Sequence, residues 1–102
     1  MNIGELQKCI QHNRYEISLH AQEERCEEEI TLHDIEEAFM HGEIIEDYPD
    51  DQRGHSCLVL GYSQDKPIHI VCAILPNKWL RIITIYIPQK PKWINPEQRR
   101  RF

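Results

Sequence analysis

The sequence predicts an α+β domain: two or three N-terminal helices packed on one face of a four-stranded antiparallel sheet. Three observations carry this expectation. Up to Gly42 apolar residues recur at helical spacing behind good helix caps, and after it they alternate as in strands. The later apolar segments are joined by loops short enough for antiparallel hairpins. Gly42 is expected at positive φ, where a glycine commonly stops a helix.

Taken in order, Ile3, Leu6, Cys9 and Ile10 mark one face of a first helix over residues 3–10. Residues 15–17 read as a short extended piece. Ser18 caps a helix over 19–28 that has few apolar positions and five glutamates between 23 and 29. Thr31 opens the next helix, and Asp34 three residues later completes a capping box. Leu32, Ile35, Ala38 and Phe39 give that helix a clear apolar stripe.

Residues 44–48, 56–63, 68–75 and 79–87 are rich in β-branched and aromatic residues and read as strands. Residues 49–54 form a turn-rich loop. Pro88, Pro91 and Pro96 argue against further strand, so the chain divides into a single domain over 1–88 and an extended basic tail over 89–102, anchored by Trp93. If both hairpin loops have even length, Tyr62 lies opposite His69 and His69 opposite Tyr86, three side chains aligned on one face. Ile82 then shares that face, and Ile83, Ile85 and Ile87 face the helices.

A chain of 102 residues makes one domain with a modest core. No apolar run approaches the ~20 residues needed to span a bilayer, and the N-terminus lacks a secretory pattern, so a cytoplasmic location and no membrane partner are expected. The four cysteines, at 9, 26, 57 and 72, form no C-x-x-C pair and read as free thiols. Cys9-x-x-His12 is the only tight ligand pair, so neither a bound metal nor any other cofactor is expected. The net charge of −5 is unevenly spread. Residues 1–50 hold 14 acidic against 3 basic side chains, −11, while 51–102 hold 9 basic against 3 acidic, +6. A basic half can present a local surface to polyanions even in an acidic chain.

Several blocks occur in an order that resembles a known family. They are I-S-x-H-A at 17–21, G-E-I-I-E-D-Y-P at 42–49, R-G-x-S-C-L at 53–58, P-I-H-I-V at 67–71, I-I-T-I-Y-x-P at 82–88 and P-K-W at 91–93. The chain resembles the domain of unknown function 4258 family of small bacterial domains. That resemblance implies a fold like that of RelE-like and barnase-like ribonuclease toxins. It implies RNA as substrate and, as partner, a small antitoxin with a zinc-finger or helix-turn-helix portion. Many members carry arginine where this chain has Glu24 and Glu28, a departure that removes two cations from the helix.

Metal-free RNA cleavage needs an acid and a base near working pH and cations for the developing phosphorane charge. His20 and His69 are the expected acid–base pair, with Glu24 one turn beyond His20 to orient it and Tyr86 beside His69. Arg53, Arg81, Arg99 and Arg100 are expected to hold phosphate, and Tyr62 and Trp93 to stack a base. The reading is a toxin-type, metal-independent endoribonuclease (mRNA interferase type). The alternative is a non-catalytic interaction module whose acidic helices or basic tail dock a protein. A cleft joining His20, His69 and an arginine favours the first; histidines on opposite sides of the sheet favour the second.

Overall fold

The computed structural model describes residues 1–89 and 93–99, with backbone only at 93–95 and 98–99. Three helices, α1 (Ile3–Gln11), α2 (Leu19–Glu27) and α3 (Leu32–Met40), cover one face of a sheet. Its strands are β1 (Tyr15–Ile17), β2 (Glu43–Tyr48), β3 (Ser56–Ser63), β4 (Lys66–Ile74) and β5 (Leu80–Tyr86), in the order β1-β5-β4-β3-β2. β2 to β5 are antiparallel, as the short loops predict. The sheet nevertheless has five strands and is mixed, because β1 pairs parallel with β5, Tyr15 opposite Leu80 and Ile17 opposite Ile82. Buried Leu80 and Ile82 sit on that strand, and its backbone needs partners; Leu80 N–H donates to Arg14 O and Ser18 N–H to Ile82 O.

The caps form where the sequence places them. Ser18 Oγ accepts from Ala21 N–H at 3.0 Å, and Thr31 and Asp34 close a reciprocal capping box. Gly42, by contrast, is not in the left-handed region, since α3 ends through His41. Glycine is needed there for room: a Cβ would lie 2.4 Å from Ala38 O. Gly61 on β3 is tighter still, with a Cβ meeting Ala38 O at 1.9 Å, so α3 rests on β3 backbone to backbone.

The apolar faces of the helices, led by Leu6, Ile35 and Phe39, pack on Val59, Ile70, Ile82 and Ile85. A bulge in β5 decides which isoleucines take part. Cys72 pairs with Ile82 but Val71 with Thr84, one residue out of step. Ile82 therefore joins the helix-side core, and Ile83 turns to the far face beside Leu58, Val71 and Ala73, the reverse of the alternation expected.

The trio on that far face is also partly rearranged. The β3–β4 turn is Gln64-Asp65, both at positive φ (53° and 64°), so Ser63 pairs with Lys66 and His69 faces Leu60. Tyr62 keeps the predicted face but pairs with Pro67. His69 does face Tyr86, because an odd β4–β5 connection and the bulge cancel. Beyond Pro88 two more short strands, β6 (Trp93–Asn95) and β7 (Gln98–Arg99), form a hairpin where an extended tail was expected. Pro96 is tolerated because it falls in the turn, where no ladder N–H is required.

Asp34 ties α3 to the β3–β4 turn. Its buried carboxylate accepts from Thr31 N–H (2.9 Å) and Ser63 Oγ–H (2.7 Å), with Lys66 Nζ at 3.7 Å. The Thr31 backbone bond first, then Ser63, hold its pKa at about 2. A folded value below the unfolded one means its stabilisation is complete above about pH 4 and drains away as pH falls toward 2. Asp34→Asn is expected to cost about 2 kcal/mol at neutral pH and to flatten the acid limb of stability. Urea midpoints across that window measure it, and an unchanged acid limb counts against this role.

Candidate functional site

On the sheet face away from the helices lies a cleft of ≈ 430 Å³, lined by Ser18, His20, Arg53, Ala73, Leu75, Arg81 and Ile83. Its floor is the β4–β5 ladder, where Ala73 pairs with Arg81. The start of α2 brings Ser18 and His20 to one rim, and the β2–β3 loop brings Arg53 to the other.

Each polar group is held from behind by a carboxylate. His20 Nε2 lies 3.3 Å from Glu24 Oε2, one helical turn on. The other oxygen of Glu24 accepts Ile85 N–H at 3.0 Å and the Thr84 hydroxyl. Glu28 likewise accepts Ile87 N–H at 3.0 Å. The glutamates that look like a solvated acidic run therefore satisfy β5 beyond the reach of β1. They also explain why α2 keeps its place with only Ala21 buried.

Arg53 makes two bonds to Asp51, Nε to Oδ1 at 3.1 Å and Nη2 to Oδ2 at 2.9 Å. Those bonds with Arg53, then one from Ser56 Oγ–H at 2.6 Å, hold the Asp51 carboxyl well below the usual carboxylate range. The same pairing raises the Arg53 guanidinium. Gly54, at φ 104°, supplies the left-handed residue that completes this loop. Arg81 Nη1 donates to Glu16 Oε1 at 2.5 Å across the β1–β5 pair. None of Glu16, Glu24 or Asp51 lines the cleft. An incoming anion thus meets donor groups first, though these ion pairs weaken the positive field they offer.

His69 is elsewhere on the same face. It is fully buried, and its Nε2 lies 2.6 Å from Pro96 O in the β6–β7 turn. A carbonyl only accepts, so Nε2 carries the proton and Nδ1 is left to accept from the Tyr86 hydroxyl at 3.3 Å. The two rings meet edge to face at 5.2 Å. Four residues along β4 from Ala73, His69 is about 13 Å from the cleft floor and does not share a site with His20.

The structure thus gathers His20, Glu24, Arg53 and Arg81, and puts Tyr62, His69 and Tyr86 toward the hairpin end of the sheet. Trp93 and Arg99 lie in the C-terminal hairpin, described there as backbone; Arg100 lies outside the described residues. Ser18 is the polar lining residue that the sequence did not single out for the site, and Ala73, Leu75 and Ile83 add an apolar wall. The Ser18 hydroxyl caps α2 and also donates to Ile83 O at 2.9 Å, and its place next to His20 was the available signal.

Among the described residues no three His, Cys, Asp or Glu side chains converge as a metal site would require. Cys9 is buried with its thiol toward Lys78 O, and all four cysteines are free. No helix is long and apolar enough to cross a membrane among the described residues. Residues 17–87 match the family model described as Domain of unknown function (DUF4258). No curated protein and no solved structure matches the chain.

Proposed function

The chain belongs to the DUF4258 family, and from that premise we propose that it is a toxin-type endoribonuclease cutting RNA in the His20 cleft without a metal ion. The observation that carries the reading is the meeting of His20 with Arg53 and Arg81 in one open cleft. His20 takes the proton of a ribose 2′-hydroxyl as that oxygen attacks the adjacent phosphorus. Arg53 and Arg81 hold the phosphate and offset charge on its equatorial oxygens as the 5′-oxygen departs. Glu24, 3.3 Å away, fixes the orientation of the His20 ring. His69 serves the fold, where it seats the C-terminal hairpin. With one histidine in the cleft, the leaving oxygen takes its proton from solvent, and turnover is slow.

The proposal extends to a RelE/barnase-like scaffold and to a small zinc-finger or helix-turn-helix antitoxin as partner. Support for both comes from the family resemblance, joined to helices on one sheet face and a cationic cleft on the other.

The test is cleavage of a mixed single-stranded RNA in the presence of chelator. Products ending in 2′,3′-cyclic phosphate are expected, since attack by the 2′-oxygen leaves that group. Arg81→Ala should slow the reaction by about 10–100-fold. Intact RNA at every salt concentration overturns the ribonuclease reading and leaves the protein-interaction module in its place.

A further inference from the structure

Just before β5, paired with the cleft residue Leu75, stands an exposed tryptophan. Leu80 and Ile82 point into the helix-side core, so Trp79, Arg81 and Ile83 fall on the cleft side of the strand by simple alternation. Trp79 leads directly into β5 at the β4–β5 turn, 39% exposed although tryptophan is the largest side chain a core could use. Leu75, a residue of the cleft wall, pairs with it through Leu75 N–H to Trp79 O at 2.8 Å. Two residues along a strand span roughly 7 Å, which sets Trp79 one step along the backbone from Arg81.

The turn that presents Trp79 is held firmly. Trp79 N–H donates to Asn77 Oδ1 at 3.0 Å and Lys78 N–H to Leu75 O at 2.8 Å. Lys78 sits at φ 73°, and its carbonyl accepts from the Cys9 thiol of α1 at 3.4 Å. The aromatic ring is therefore carried on a backbone that is already ordered, so little conformational entropy is lost when a flat partner settles on it.

We propose that Trp79 is a base-stacking platform for the nucleotide beside the phosphate held by Arg53 and Arg81, which makes single-stranded RNA the substrate class. Bases of a duplex are stacked on each other and present no free face, whereas an unpaired strand can lay one base on an indole while its phosphate reaches the arginines. Stacking is tolerant of base identity, so this platform selects strandedness more than sequence. The inference rests on the phosphate-binding reading of the cleft.

The experiment measures binding of a fluorescein-labelled, uncleavable 2′-O-methyl 12-mer by anisotropy, as a single strand and as a duplex. The proteins compared are wild type, Trp79→Ala, Trp79→Phe and Arg81→Ala. Wild type is expected to prefer the single strand. Trp79→Ala should weaken that binding by about 10-fold and erase the preference, while Trp79→Phe retains most of it. Equal binding by wild type and Trp79→Ala, equal binding of single strand and duplex, or no binding by wild type each overturns the proposal. Because the oligonucleotide cannot be cut, Trp79-dependent binding together with intact natural RNA would keep the platform and reject only the cleavage chemistry. Loss of binding in Trp79→Ala but not in Arg81→Ala would instead reject the phosphate reading on which it rests, and the proposal with it.

Discussion

Replacing His20 by alanine is expected to slow RNA cleavage by about 10²–10⁴-fold, the span a positioned general base contributes. The fold should barely respond. The side chain is 69% exposed, and Glu24 keeps its bonds to Ile85 N–H and Thr84 when the imidazole is gone. A change of a few °C at most in melting temperature follows for such a surface position. His69→Ala should do the opposite. It removes a fully buried ring together with its contacts to Pro96 O and the Tyr86 hydroxyl, at a cost of about 2–4 kcal/mol. Its cleavage rate, measured below its melting temperature, should stay within a few-fold of wild type. Single-turnover cleavage with chelator and thermal melts of both variants separate the two roles. Undiminished cleavage by His20→Ala would place the chemistry elsewhere.

Gly61→Ala is expected to cost at least about 3 kcal/mol, at the upper end of overpacking effects, and to leave little folded protein at 37 °C. The added methyl would sit 1.9 Å from Ala38 O and 2.4 Å from Ala38 C, both backbone atoms of α3. No rotamer change relieves such a contact. The helix must lift from β3, and Ile35, Ala38 and Phe39 lose their packing with it. Gly4→Ala is the matched control, since its methyl meets no backbone and a single side-chain atom, Asn2 Oδ1, at 3.2 Å; a change within about 1 kcal/mol is expected. Urea midpoints of the two variants measure the contrast, and equal midpoints would refute the close-approach argument.

Features governed by neighbouring residues could be read from the sequence. The Ser18 cap and the Thr31–Asp34 box are local hydrogen-bond motifs, and they form where composition says they should. Strand alternation located β2 to β5 for the same reason. Pairing over long range was harder. Three residues, Tyr15 to Ile17, carry too little pattern to announce a parallel partner more than sixty residues away. A bulge leaves no mark in the alternation of I-I-T-I, yet it exchanges the faces of Ile82 and Ile83. Gln64-Asp65 adopts two positive-φ positions without a glycine to signal them, which moved Tyr62 away from His69.

The candidate site divides along the same line. His20 with Glu24 is an i,i+4 relation and was visible. That Arg53 and Arg81 would reach the same cleft depends on β2, β3 and β5 meeting in space. His69 looked like the partner of His20 because both residues have the right chemistry, but chemistry carries no distance.

The carboxylates of Glu24 and Glu28 have a consequence for self-association. They occupy the N–H groups of β5 past the end of β1, so that side of the sheet offers a newcomer only a three-residue strand. The opposite side ends in β2, six residues long, the last strand in the sheet order. The β5 side of the folded sheet is thereby blunted against strand addition from another copy, by side chains that reach across from a helix and not by a charge or bulge on the edge strand itself.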